Sequence, residues 1–125
     1  MNHLDFGAEG ERIAAEYLTK KGWRILDRNA TIGRGELDIV AMDGNELVVV
    51  EVRTRRIGKL TPPELSVGPH KLRNLIKTGR RYVDRARFDG NWRIDVVAVT
   101  EDEKGRKTVE LFSDVTAGME GGFMG

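Results

Sequence analysis

Residues 36–52 read ELDIVAMDGNELVVVEV, two runs of β-forming residues on either side of Asp43-Gly44. Asp-Gly between two such runs is a strong short-range signal for a β-hairpin. The second run, Leu47 to Val52, carries apolar residues at positions that point to both faces of a strand. Such a strand is typical of the centre of a sheet that is covered on both sides. The stretch therefore predicts a β-hairpin whose second strand is central.

Three carboxylates and one arginine are predicted on a single face of this hairpin. For a two-residue tip, paired residues have numbers that add to an odd value, and alternate residues of a strand share a face. Glu36 and Asp38 therefore share a face with Glu51 and Arg53. One register places Asp38 directly opposite Glu51, and the other places Asp38 diagonal to Glu51 and makes Glu36 the opposite partner.

Glu51 interrupts an otherwise apolar strand. Burying its carboxylate there costs free energy unless another group pairs with the charge. A buried unpaired carboxylate is strongly destabilising, and two adjacent carboxylates raise each other's pKa. A divalent cation would remove both penalties, and Mg²⁺ takes one or two carboxylates together with water and phosphate oxygens. The alternative is a buried salt-bridged cluster without chemistry, in which Glu51 pairs with Arg53 or another arginine.

The segments around the hairpin predict one α/β domain over residues 1–115, followed by a flexible glycine-rich tail over residues 116–125. The order α-β-β-β-α-β-β is typical of a mixed sheet with helices packed against it. Periodicity and turn residues place the remaining elements as follows: a helix over 4–21, a short strand over 23–27, a loop over 31–35, a helical turn over 61–64, a helix over 69–86 and strands over 92–100 and 107–112. Asp95, in a strand pattern, is predicted to have a structural hydrogen-bonding role.

Composition restricts the kind of metal site that the chain can build. The 125 residues include no cysteine and two histidines, His3 and His70, which excludes cysteine-bound zinc and argues against a histidine-rich site. Carboxylates remain as ligands, and they favour Mg²⁺ or Mn²⁺. The absence of cysteine, of a long apolar run and of a signal-peptide pattern predicts a cytoplasmic protein that contacts no membrane.

The net charge of +1 hides an uneven distribution of charge. From Val52 to Arg93 there are twelve lysines and arginines against three acids, and both flanks are acidic. Most such runs are solvated helix faces, but a basic block beside carboxylates also fits an enzyme that binds nucleic-acid phosphates. The cations predicted to contact the nucleic-acid backbone are Arg55, Arg56, Lys71, Arg73, Lys77, Arg80 and Arg81.

Residues 35–40 (GELDIV) with residues 50–55 (VEVRTR) resemble the core of the YraN-like family of small bacterial proteins. That family belongs to the PD-(D/E)xK nuclease superfamily and is similar in plan to archaeal Holliday-junction resolvases. The resemblance extends over most of the chain, through Gly10-Glu11, residues 15–18, 25–29, 63–64 and 93–99. It implies a restriction-endonuclease-like fold, a mixed central sheet flanked by helices. It also implies that Asp38 and Glu51 bind the metal and that Glu11 matches an acid of resolvase-like relatives, the alternative being an exposed helix glutamate.

Arg53 departs from the family pattern, which usually has lysine at this position. Lysine can lose its proton, whereas arginine keeps its charge in proteins. Arg53 could instead bind the scissile phosphate. The site residues therefore predict an Mg²⁺- or Mn²⁺-dependent phosphodiesterase, and the resemblance implies an endonuclease acting on DNA that is branched or otherwise structured. Its catalytic residues would be Asp38, Glu51, Arg53 and Glu11.

Two alternatives to an enzyme stay open at this point. One is a non-catalytic nucleic-acid-binding protein on a degenerate nuclease fold, and the other is a protein-interaction scaffold. The residues do not distinguish DNA from RNA. A homodimer is expected only by analogy with the resolvases.

Overall fold

The computed structural model describes residues 5–56 and 67–116. It confirms an α/β fold with one mixed sheet of five strands and two helices. The predicted helical turn at residues 61–64 and residues 117–125 of the predicted tail lie outside the described residues. The elements are α1 (Asp5–Lys20), β1 (Arg24–Ile32), β2 (Gly35–Asp43), β3 (Glu46–Arg56), α2 (Pro69–Arg85), β4 (Trp92–Glu101) and β5 (Lys107–Phe112).

The strands lie in the order β1-β2-β3-β4-β5, so β3 occupies the centre as its apolar sequence predicts. β3 and β4 are parallel, and the other neighbouring pairs are antiparallel. The hairpin turns at Gly44-Asn45, with Asp43 paired to Glu46. This register, continued past the last backbone pair, places Asp38 opposite Glu51, the first of the two predicted arrangements.

Each face of the sheet carries its own apolar core. Ala14 and Leu18 of α1 pack with Val48 and Val50 of β3 on one face. Leu72, Leu75 and Val83 of α2 pack with Leu47 and Val49 on the other face. Successive residues of β3 are therefore buried alternately under the two helices, which explains why this strand is apolar at every position from 47 to 50. Neither of the described helices is long and apolar enough to span a membrane.

The first strand is longer than the sequence pattern predicts. β1 extends from Arg24 to Ile32, and a two-residue turn at Gly33-Arg34 replaces most of the expected loop. The strand lies at the edge of the sheet and most of its residues are exposed, so polar residues can occupy it without alternation. A register shift between Ile25 and Asp27 further breaks the period of two on which the prediction depended.

α2 approaches the sheet closely at Gly79. A Cβ atom at this position would lie 2.6 Å from the ring of Trp92. Real Cβ atoms do not come so near another heavy atom, so the contact requires glycine. This approach sets the distance between α2 and the sheet, and hence the width of the space between α2 and the ends of β2 and β3.

Candidate functional site

Asp38 and Glu51 lie where β2 and β3 separate. Backbone pairing of the two strands ends at Ile39 and Val50. One residue further, the Oδ2 atom of Asp38 accepts a hydrogen bond of 2.9 Å from the backbone N–H of Val52. A side chain thus takes the place of a strand carbonyl, and this bond fixes the Asp38 carboxylate beside the centre of the sheet.

Glu51 is buried, with 6% of the residue exposed. Its pKa is raised to about 7, first by burial and then by the negative charge of Asp38 and a side-chain hydrogen bond with it. The positive charges of Lys71 and Arg53 act in the opposite direction. Two neighbouring carboxylates, one of them inside the protein, form the arrangement for which a cation would be the natural partner.

Two cations flank the Glu51 carboxylate from different elements. The Nζ atom of Lys71, in the first turn of α2, lies 3.6 Å from Oε2 of Glu51. The Nη1 atom of Arg53, two residues along β3, lies 3.9 Å from the same oxygen. Both distances exceed those of a normal hydrogen bond, so the two contacts are ion pairs that leave donors of both side chains available.

A cleft of about 380 Å³ opens beside the carboxylate pair, between α2 and the start of β2. Gly35 closes its floor, since a Cβ atom there would lie 2.1 Å from Oγ1 of Thr78. Four of the ten lining residues are cations, which makes the cleft basic with acids at one end. The lining residues are Arg34, Gly35, Glu36, Asp38, Lys71, Asn74, Leu75, Lys77, Thr78 and Arg81.

Glu11 reaches the site from α1, on the other side of the sheet. The pKa of Glu11 is raised, first by partial burial and then by the charge of Asp38, while a hydrogen bond with Asn29 lowers it. Glu11 therefore lies within electrostatic reach of the pair. Among the residues that the structure describes, however, no group of three or more acids or histidines is close enough together to hold a metal ion.

The cations predicted to bind a nucleic-acid backbone differ in their position relative to the cleft. Lys71, Lys77 and Arg81 line the cleft. Arg73 and Arg80 are exposed on α2 but do not line it.

Two further predicted cations lie on β3, near its end. Arg56 donates a hydrogen bond of 2.7 Å to Glu101 and stacks on the ring of Phe6 at 4.5 Å, so its charge is already partnered. The Nε and Nη1 atoms of Arg55 are buried, with no hydrogen-bond partner among the described residues. Neither side chain lines the cleft.

Three lining residues were missed by reasoning from the sequence: Arg34, Asn74 and Thr78. A signal for two of them was present. Positions 71, 74, 78 and 81 recur at intervals of three and four residues, so they form a polar stripe on one side of the apolar stripe of α2. Arg34 occupies a tight turn, and its proximity to α2 depends on packing that no local pattern records.

Asp95 has the structural role that its strand pattern predicted. It is fully buried, and it accepts hydrogen bonds of 3.0 and 3.1 Å from Arg93 and one of 2.8 Å from the backbone N–H of Asp114. Asp95 is paired with Val50, whose side chain packs under α1, so it lies on the face of the sheet away from the cleft. Arg93 also pairs with Asp43 and Glu46, which joins the hairpin to β4.

Comparisons with known proteins place the chain among bacterial proteins of unestablished function. The model of the uncharacterised protein family UPF0102 matches residues 10–99. A UPF0102 protein of Syntrophus aciditrophicus is 42% identical over 113 residues, covering 90% of this chain and 88% of its own. A UPF0102 protein of Chlorobaculum parvum is 46% identical over 112 residues and covers 84% of each chain. The matched region includes both site carboxylates, the central hairpin and all of α2.

Proposed function

The chain belongs to the uncharacterised protein family UPF0102, the YraN-like family that its sequence resembles, and we propose that it is a metal-dependent endonuclease acting on DNA. The observation that carries the proposal is that Asp38 lines a basic cleft and lies beside the buried carboxylate of Glu51. Perturbed carboxylates beside a cleft are typical of functional sites. A purely structural acid pair would not need a cleft lined by cations.

The two carboxylates fit Mg²⁺ or Mn²⁺. Both offer hard oxygen donors, and one oxygen of Asp38 is already held by the backbone of Val52. Mg²⁺ commonly uses one or two carboxylates and completes its shell with water and substrate phosphate, so two acids suffice. Asp38 and Glu51 would hold the ion, with Glu11 as a further candidate. When bound, it would lower the pKa of water and offset charge on the scissile phosphate.

The remaining residues of the cleft supply binding and orientation. Arg34, Lys77 and Arg81 would contact phosphates of the substrate, and these contacts position a strand without reading its sequence. In this proposal Arg53 holds Glu51 in place and adds positive charge near the phosphate. The preference for DNA, and for branched or structured DNA, comes from the resemblance to junction resolvases. The lack of cysteine favours a cytoplasmic site of action.

The test is cleavage of end-labelled duplex, single-stranded, flap and four-way-junction DNA with Mg²⁺, with Mn²⁺ and with EDTA. Product that depends on metal and falls at least ~10²-fold in Asp38→Asn and Glu51→Gln supports the proposal. Glu103→Gln, an exposed acid in the β4–β5 turn, is the matched control and keeps full activity. Cleavage that is equal in wild type and in both site variants would refute the assignment of the site.

One observation favours a second candidate, a nucleic-acid-binding protein without catalytic activity. Lys71 and Arg53 both lie within 4 Å of Oε2 of Glu51, so the protein neutralises this acid without a metal. Under this alternative the chain binds nucleic acid in a salt-dependent way, cuts no substrate, and binds equally well as Asp38→Asn. A protein-interaction scaffold would show no salt-dependent affinity for nucleic acid.

A further inference from the structure

A lysine stands beside Glu51 although the strand position expected to carry it holds Arg53. Lys71, twenty residues later in the chain, approaches Oε2 of Glu51 to 3.6 Å from α2, and Arg53 approaches the same oxygen to 3.9 Å. Lys71 lines the cleft together with Asp38, whereas Arg53 is not among its lining residues. We propose that Lys71 is a catalytic residue that contacts the scissile phosphate, a role that deepens the proposed nuclease function and depends on it.

The position of Lys71 allows contact with Glu51 and with a substrate at the same time. Its ammonium group has three N–H donors, and the side chain remains 48% exposed while Glu51 is buried. Lys71 and Asp38 both line the cleft, so a phosphate that approaches Asp38 through the cleft passes the Lys71 ammonium group.

The location of Lys71 in the helix supports a role other than helix stability. It lies in the first turn of α2, which contains no acid, and the N-cap residue, Gly68, makes no side-chain capping bond. The N-terminal end of a helix carries partial positive charge, so a lysine there is electrostatically unfavourable. The same positive end, together with the ammonium group, favours an anion such as phosphate in front of it.

In this proposal Lys71 stabilises the negative charge that develops on the phosphate. In hydrolysis the oxygen of water bonds to phosphorus, the bond from phosphorus to the leaving sugar oxygen breaks, one proton of the water goes to solvent, and the leaving oxygen takes a proton from solvent. Negative charge increases on the phosphate oxygens after the new bond to phosphorus begins to form and before the old one has broken. Lys71 offsets this charge by direct hydrogen bonding to the phosphate.

The first measurement is the single-turnover cleavage rate at saturating protein with Mg²⁺, on the DNA that the wild type cuts best. Lys71→Met is expected to lose ~10²–10³-fold in rate, the usual cost of removing one transition-state donor, and Arg53→Met less than about 10-fold. Lys104→Met, which removes an exposed lysine in the β4–β5 turn, is the matched control and should keep both the saturated rate and the DNA affinity of the wild type. A larger loss in Arg53→Met than in Lys71→Met would overturn the proposal.

A second measurement separates failure of this inference from failure of the nuclease proposal. If the wild type cuts nothing, fluorescence anisotropy with labelled DNA gives the gain in affinity on adding Ca²⁺ in place of Mg²⁺. If this gain is lost in Lys71→Met and kept in Lys104→Met, contact of Lys71 with the phosphate at the metal site is supported, even though the endonuclease assignment is then wrong. Equal gains in all three proteins, or no gain in the wild type, would overturn it. Circular dichroism and urea midpoints verify that each variant is folded.

Discussion

Replacement of Glu51 by glutamine should change how the stability of the protein depends on pH. The pKa of Glu51 in the folded protein is about 7, against 4.5 for an ordinary glutamate. Between these values the folded state holds a proton that the unfolded state has released. Stability from this group is therefore full below about pH 4.5, falls as pH rises, and is lost above the folded pKa of about 7.

The size of the effect follows from the difference between the two pKa values. Each pKa unit corresponds to ~1.4 kcal/mol, so ionising Glu51 inside the protein costs roughly 2–3 kcal/mol between pH 5 and pH 8.5. Glutamine occupies nearly the same volume and carries no charge at any pH. Relative to wild type, Glu51→Gln should thus gain roughly 2–3 kcal/mol of stability over this range, or on the order of 10 °C in melting temperature at pH 8.5.

Urea unfolding followed by the fluorescence of Trp23 and Trp92 measures this difference, at pH values from 5 to 8.5. Glu103→Gln serves as the control and should follow the wild type at every pH. Saturating Mn²⁺ at pH 8.5 should stabilise the wild type by about 2.7 kcal/mol at 100 times the dissociation constant, and Glu51→Gln much less. Stability curves for wild type and Glu51→Gln that stay parallel within about 0.5 kcal/mol would refute the reasoning.

Three further outcomes follow from contacts elsewhere in the protein. Asp95→Ala should destabilise the fold by about 3–5 kcal/mol, because it removes a fully buried carboxylate that binds the guanidinium of Arg93 and the backbone N–H of Asp114; a loss below about 1 kcal/mol by urea unfolding would contradict this. Gly79→Ala should cost about 1–3 kcal/mol through its clash with Trp92, visible as a lower melting temperature. Arg81→Ala should reduce the slope of log K for DNA against log salt by about 0.9, whereas Arg56→Ala, whose charge is already paired with Glu101, should leave the slope unchanged.

Patterns of short range predicted the elements of the fold well. The hairpin indicated by Asp43-Gly44, the doubly apolar central strand and the amphipathic helix from Pro69 all correspond to observed elements. The exception is β1, whose polar residues pair at the edge of the sheet and therefore show no alternation. The secondary-structure propensity of a segment describes the conformation that it prefers in isolation. An edge strand such as β1 is stabilised instead by pairing with the neighbouring strand.

The two site carboxylates were predictable because strand parity is a property of the backbone. Alternate residues of a strand point to one face, so Asp38 and Glu51 had to share a face once the hairpin was recognised. The choice between the two registers needed the position of the tip, Gly44-Asn45, which the structure supplies. Likewise, the apolar stripe of α2 predicted which face of the helix is buried. It did not predict which strand ends that face would pack against.

The sequence by itself thus determined the family, the α/β class and the shared face of Asp38 and Glu51. Only the tertiary structure decided which cations meet these acids. It brings Lys71 from α2 and Arg34 from the β1–β2 turn to one cleft, and it pairs Arg56 with Glu101. The physical reason is the separation along the chain of the residues that interact. Backbone geometry fixes the direction of side chains over a few residues, whereas the placement of a helix on a sheet results from packing between residues far apart in the chain.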